Sequence, residues 1–111
     1  MASVEALRAE NKSLLCDVLR QLKSNRSYAK ASATKLINSI NELMKDKANL
    51  TVVSDKVLQL EKASQTFSNI QGKYHTLLLE NGHESEIRDS ETYKDNVIDK
   101  TCQTLDKANY L

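Results

Sequence analysis

Residues 52–82, with the sequence VVSDKVLQLEKASQTFSNIQGKYHTLLLENG, decide the fold of this chain. Two apolar series run through this stretch, each with a period of seven residues and the second three positions behind the first. The first series is Val53, Leu60, Phe67 and Tyr74, and the second is Ala63, Ile70 and Leu77. Such an a/d pattern is typical of a helix that packs against other helices along one side. It predicts a helix over residues 52–80.

The stretch ends in Asn81-Gly82, which predicts a reversal of the chain. Glycine directly after a helix readily adopts the left-handed conformation that ends it. A short connection then forces the next helix to return antiparallel. We expect that helix over residues 84–110, with the acidic first turn that the helix dipole favours. The reversal places four apolar pairs opposite each other: Leu78 with Ile87, Phe67 with Ile98, Ala63 with Cys102, and Leu60 with Leu105.

The front of the chain carries a matching apolar stripe at three- and four-residue spacing. Its members are Leu15, Leu19, Leu22, Ala29, Ala33, Ile37, Ile40 and Met44, and Arg26 interrupts them. A second reversal near residues 47–50 pairs Met44 with Val53, Ile40 with Val57, and Ile37 with Leu60. The pattern therefore predicts a first helix over residues 3–46, with its weakest point, and an alternative break, at residues 24–27.

The composition also favours helices. The chain has 111 residues, no proline and two glycines, and no segment shows the alternation of a strand. Charged residues make up 28% and aromatic residues 5%, which suits a bundle more than a deep globular core. We predict an all-α fold in one domain over residues 1–111. Its long antiparallel helices form a three-helix bundle or coiled coil, with four helices if the first one breaks.

A separate seam precedes the first stripe and is predicted to join chains. Its positions are Val4, Leu7, Asn11, Leu14 and Val18. An asparagine at an a position, as at Asn11, typically sets register and favours a dimer. In the predicted register this segment extends about three turns past the hairpin, where its own chain cannot cover it. We expect it to associate with a second copy or with another helical protein, or to fold back as a short fourth helix.

Every charged side chain from residue 18 to residue 41 is basic. Arg20, Lys23, Arg26 and Lys30 are therefore candidate ligands for phosphate groups of RNA or of an anionic membrane. Apart from Tyr28, no aromatic side chain is interleaved with them for base stacking. The alternative is a solvated face, or a surface that receives the acidic last helix.

Residues 75–86, HTLLLENGHESE, hold both histidines, yet they do not predict a metal site. Zinc ligands on one helix need i, i+4 spacing, whereas His75 and His83 are eight apart across a predicted helix end. Cys16 and Cys102 have no neighbouring histidine and are interpreted as small buried hydrophobes in a reducing compartment. We expect no catalytic residue, metal, cofactor or small-molecule substrate. The early charges of the N-terminus also argue against a secretion signal, so we expect a cytoplasmic protein.

Three stretches resemble a known family in their order and character: RSYAKASATKLINSINELM, KVLQLEKASQTFSNIQGKYHTLLLE and ESEIRDSETYKDNVIDK. Together they are similar to the N-terminal helical region of Gag-like polyproteins from BEL/Pao-type retrotransposons, over residues 25–111. The resemblance implies a structural role, either self-association or, in a domesticated derivative, an interaction module. It implies no site residues.

The leading expectation is thus a non-enzymatic helical module for oligomerisation or protein interaction, Gag-like in origin. One alternative is a module that binds RNA or anionic membrane through the basic face of residues 20–35. A further alternative is a cytoskeletal or trafficking adaptor, because long helical hairpins serve many such roles.

Overall fold

The fold is an antiparallel bundle of three long helices, seen in a computed structural model that describes residues 4–46 and 50–109, with side chains from Leu14 onward. The helices are α1 (Val4–Leu43), α2 (Leu50–Glu80) and α3 (Glu84–Asn109). Within these ranges the chain forms no strand. The predicted all-α three-helix architecture is therefore confirmed. The predicted reversal at residues 47–49 lies outside the described residues.

The first helix is continuous from Val4 to Leu43. The alternative break at residues 24–27 is wrong, and so is the short fourth helix, because no turn separates the N-terminal segment from the rest of α1. A helix of 40 residues is about 60 Å long, since each residue adds about 1.5 Å. This length explains the elongated shape of the molecule, which measures 71 × 22 × 15 Å.

The packing between α1 and α2 has the predicted register. Ile40, Val53 and Leu60 are almost completely buried in one core cluster, and the remaining partners of the predicted pairs pack against it. Those partners are Ile37, Met44 and Val57. Leu105 of α3 packs against the same cluster, which includes Leu60.

The buried face of α3 differs from the prediction. Cys102 is exposed and Ile98 is only half-buried, whereas Val97, Thr101 and Thr104 are buried. Phe67 accordingly packs with Val97 instead of Ile98. The threonine hydroxyls are satisfied inside the helix: Thr101 donates to the carbonyl of Val97 at 2.9 Å. With the hydroxyl bonded to its own helix, the methyl group of a threonine can face the core. The predicted burial of both cysteines is wrong, because Cys16 is exposed as well.

The corner between α2 and α3 is a Schellman motif. Gly82 has φ +69°, the left-handed conformation that glycine adopts without a steric penalty. The amide of Gly82 donates to the carbonyl of Leu79 at 3.3 Å, and that of His83 donates to Leu78 at 3.1 Å. Both are the bonds that this motif uses to satisfy the last carbonyls of a helix. The predicted reversal at Asn81-Gly82 is confirmed.

Across the described residues, no helix combines the length and the apolar character needed to cross a bilayer.

Candidate interaction surface and buried polar layer

The N-terminal part of α1 extends beyond the rest of the bundle. Val18 and Leu22 lie beside Leu77 and Glu80, which are at the end of α2, and line one groove with them. The chain then turns at Gly82 into α3, so no helix of residues 50–109 lies beside the part of α1 before about Leu14. At about 1.5 Å per residue, the helical segment from Val4 to Leu14 projects roughly 15 Å.

The predicted association seam lies on this projecting segment and its base. Leu14 is 62% exposed and Val18 is 47% exposed. The side chains of Val4, Leu7 and Asn11 are not among those that the structure describes. Large apolar side chains that remain in water at helical spacing favour an interaction surface when they form a continuous stripe. The geometry of Leu14 and Val18 fits that role.

A shallow groove of about 380 Å³ runs between α1 and α2 on the side away from α3. Its lining residues are Asn25, Tyr28, Ala29, Ser32, Ala63, Thr66 and Ile70. Tyr28 stands at its edge and is 79% exposed, although it is a large aromatic side chain. Nothing in the described part of α3 lines this groove, so it is the open side of the α1–α2 pair.

The four candidate phosphate ligands do not form one exposed face. Arg20 and Lys23 are exposed, and Arg20 lies 3.5 Å from the carboxylate of Asp17. Lys30 is half-buried, with Nζ 4.8 Å from the ring centre of Tyr93. Arg26 is only 5% exposed and points into the bundle. The interpretation of Arg26 as a phosphate ligand is wrong, because its guanidinium is directed at side chains of α2 and α3.

Arg26 belongs to a buried polar layer that joins all three helices. Its Nη1 donates to Oε1 of Gln71 at 3.1 Å and to Oγ of Ser90 at 3.2 Å. Nε2 of Gln71 in turn donates to Oγ of Ser90 at 2.7 Å and to the carbonyl of Ser90 at 3.3 Å. Each helix thus supplies one member, and the two partners of Arg26 are bonded to each other as well.

Two aromatic rings enclose the guanidinium of Arg26. Its Cζ lies 3.9 Å from the ring centre of Tyr93 and 4.6 Å from that of Tyr74. Such cation–π contacts stabilise a charge that is withdrawn from water. Phe67 stacks on Tyr93 with ring centres 6.1 Å apart, which ties the polar layer to the apolar cluster of Phe67, Val97 and Ala29.

The layer is not fully satisfied. Nε of Arg26 is buried, and no hydrogen-bond partner is present for it among the described residues. A cavity of about 160 Å³ adjoins the layer, and its rim carries Lys23, Glu86 and Asp89. Burial raises the pKa of Tyr74 above its ordinary 10.0; the charge of Arg26 opposes this rise and that of Glu86 adds to it. The layer therefore favours the neutral phenol beside the guanidinium.

Sequence reasoning missed this layer, although its signals are visible. Arg26 is the one break in the apolar stripe of α1, and the register that pairs Ile37 with Leu60 also pairs Arg26 with Gln71. A polar residue at a core position that faces another polar residue predicts a buried hydrogen bond. Ser90 is less visible, because a serine in a polar helix is usually exposed.

The remaining candidates do not come together as a reactive centre. His83 directly precedes α3, and its Nδ1 lies 3.5 Å from Oε2 of Glu86 in the first turn of that helix. His75 lines a separate groove with Glu91 and Asp95. Among the described residues, no group of three histidine, cysteine or acidic side chains is placed to hold a metal ion. Cys16 and Cys102 are free and exposed on different helices. The candidate sites on the described surface are therefore helix faces and grooves.

Comparisons with protein-family models, with curated proteins and with solved structures each found no match for this chain.

Proposed function

We propose that this protein is a non-enzymatic helical module that self-associates through the N-terminal part of α1. The observation that carries the proposal is the exposure of Leu14 and Val18 on a helix that projects past the end of its own bundle. Among the described side chains, the two core clusters and the polar layer lie at Arg26 and beyond it, so we expect the bundle to fold without the projecting segment. Another helical protein is the alternative partner for the same surface.

The cytoplasm is the compartment that we propose. Cys16 and Cys102 are both free and exposed. Exposed thiols persist where the surroundings are reducing, which supports an intracellular location. The proposed Gag-like origin rests on the sequence resemblance alone, and it agrees with a role in assembly.

The experiment compares two matched substitutions by sedimentation equilibrium up to high micromolar concentration. Leu14→Glu places a charge in the proposed surface, and Leu58→Glu is its control, because Leu58 on α2 is 58% exposed and Leu14 is 62% exposed. Burial of a leucine contributes about 1.5–3 kcal/mol, and about 1.4 kcal/mol is tenfold in affinity. Leu14→Glu should therefore weaken association at least about tenfold, whereas Leu58→Glu should leave it unchanged.

Deletion of residues 1–14 separates association from folding. The shortened chain should lose its oligomeric mass while the helicity of the remaining residues stays the same by circular dichroism. Loss of folding would instead place the segment in the core. A wild-type chain that is strictly monomeric at high micromolar concentration would overturn self-association.

Phosphate binding by the basic part of α1 is a weaker proposal. It is supported by the exposure of Arg20 and Lys23 on neighbouring turns, and it is weakened by the acids at Asp17, Glu86 and Asp89. Binding to RNA or to anionic vesicles should fall steeply with salt and should be lost in Arg20→Gln/Lys23→Gln. Absence of binding at about 50 mM salt, where such contacts are strong, would rule it out.

A further inference from the structure

The helix α1 carries two stripes that lie one residue apart. We call the first the inner stripe, whose members are all buried or half-buried: Leu15, Leu19, Leu22, Arg26, Ala29 and Ala33. The second, the outer stripe, comprises Val4, Leu7, Asn11, Leu14, Val18, Gln21, Asn25, Tyr28 and Ser32. Its described members are exposed as far as Tyr28, and Ser32 is half-buried. The predicted association seam is therefore only the first half of a longer stripe.

The outer stripe follows heptad spacing over about four heptads, and its residue types change along the way. Its first half is apolar at Val4, Leu7, Leu14 and Val18, whereas its second half has Tyr28 among polar, uncharged residues. Charged residues are absent from it between Val4 and Ser32, and the next position in the series is Lys35. A stripe that is uncharged over its whole length and then ends in an exposed lysine has the features of an interface with a defined end.

The residue types at the a and d positions of the outer stripe distinguish a parallel from an antiparallel pair of helices. The a positions are Val4, Asn11, Val18 and Asn25, and the d positions are Leu7, Leu14, Gln21 and Tyr28. Among parallel coiled coils, a β-branched residue at a with leucine at d favours two helices, and asparagine at a fixes their register. In a parallel pair each a position meets itself, so Asn11 and Asn25 would each face the same asparagine of the partner. In an antiparallel pair a faces d, and the asparagines would not meet.

We infer that the partner is a second copy of this chain, whose α1 lies parallel and in register along the outer stripe from Val4 to Tyr28. This inference rests on the proposed function and goes further, because it assigns the partner, the direction and the second half of the interface. Asn25, Tyr28 and Ser32 of the outer stripe line the open α1–α2 groove. The partner helix therefore also contacts the α2 side of this groove, at Ala63, Thr66 and Ile70.

The flanking positions suit the same arrangement. On the side of the outer stripe that faces α2, the flanking residues are Leu15, Leu22 and Ala29 of the inner stripe. In a parallel coil these positions face the partner's opposite flank, which here includes Asp17 and Ser24. At these positions no two like charges face each other, so repulsion does not oppose the pairing. The exposed ring of Tyr28 would be covered, as tyrosines at interface cores usually are.

Disulfide trapping tests direction and extent together. In a Cys16→Ser/Cys102→Ser background, Leu14→Cys and Tyr28→Cys each place one thiol at a d position. Under mild oxidation both should form a disulfide-linked homodimer within minutes, at least about tenfold faster than in denaturant. The control is the protein with its natural Cys16, which is exposed on the side of α1 opposite to the outer stripe and should not be trapped.

The possible results are distinct. Trapping of both variants supports the inference. Trapping of Leu14→Cys without Tyr28→Cys means that the helices diverge after Val18, which overturns the long interface and leaves the proposed self-association intact. A dimer by sedimentation in which neither thiol is trapped overturns the parallel register. A strict monomer overturns the proposed function itself. Gln21→Cys, at the preceding d position, replaces Tyr28→Cys if circular dichroism shows that the latter does not fold.

Discussion

Arg26 of α1 donates a hydrogen bond to Gln71 of α2 across 3.1 Å, in a layer that is almost closed to solvent. The same nitrogen donates to Ser90 of α3 at 3.2 Å. One guanidinium thus links three helices at a single level. A slip of either neighbouring helix by one turn, about 5.4 Å, would leave these polar groups buried without partners. The layer therefore favours one register over its neighbours.

Arg26→Met should destabilise the bundle by about 1–3 kcal/mol, because Oε1 of Gln71 would remain buried without a donor. Urea unfolding followed by circular dichroism measures the change. Lys23→Met is the matched control, since it removes an exposed cation one turn earlier on the same helix and should change stability by less than about 0.5 kcal/mol. Equal stability of Arg26→Met and wild type would show that the layer does not stabilise the fold.

Replacement of the whole layer should have a different effect from replacement of Arg26 alone. The variant Arg26→Met/Gln71→Leu/Ser90→Ala removes all three polar side chains of the layer, so none of them remains buried without a partner. Its stability should therefore return to the wild-type value or exceed it. If the triple variant is less stable than Arg26→Met, the layer contributes net stability beyond its role in register.

The two glycines should respond to alanine in opposite directions. Gly82 has φ +69°, where a Cβ costs about 1–2 kcal/mol, so Gly82→Ala should lower stability by about that amount. Gly72 lies inside α2, and a Cβ there would meet nothing within 4 Å, so Gly72→Ala should raise stability by about 1 kcal/mol. Thermal unfolding of both variants measures the difference. Destabilisation by Gly72→Ala would contradict this prediction and would mean that another group lies within contact distance of a Cβ at this position.

Alkaline pH should weaken the bundle through Tyr74. Its pKa is raised above 10.0 by burial, so the folded state holds the phenol proton more tightly than the unfolded chain does. The corresponding stability is fully present below pH 10 and is lost as the pH rises through the higher pKa of the folded state. Urea unfolding at a series of pH values from neutral to above 10 should show this decline.

Tyr74→Phe separates Tyr74 from the other groups that titrate at high pH. The variant keeps the ring beside Arg26 and cannot ionise, so its stability should fall less steeply above pH 10 than that of the wild type. Parallel pH profiles for the two proteins would assign the decline to other groups.

The helices and their register could be predicted because they depend on repeated features. The a/d series of α2 and the stripe of α1 agree over many residues, and the single turn at Gly82 then fixes which residues of the hairpin face each other. The pairing of Ile37, Ile40 and Met44 with α2 follows from the same arithmetic. Errors at single positions do not disturb such a pattern.

The buried face of α3 could not be predicted in the same way, because its core residues are not apolar by type. Thr101, Thr104 and Ser90 are buried with their hydroxyls hydrogen-bonded, whereas the more apolar Cys102 is exposed. Arg26 shows the same effect in α1. Whether a polar side chain is buried depends on a partner that another helix or its own backbone supplies, and a search for apolar periodicity does not register that partner.

Because the inner and outer stripes lie one residue apart on α1, their alignment depends on the exact number of residues in the helix. Removal of a single residue between Asn11 and Leu14 would turn the N-terminal segment by about 100° and bring Val4 and Leu7 into line with the inner stripe. Loops absorb insertions and deletions, but α1 is continuous from Val4 to Leu43 and has no loop in which to do so. We therefore expect this helix to tolerate many substitutions and almost no change of length, so that its spacing is inherited more strictly than its residues.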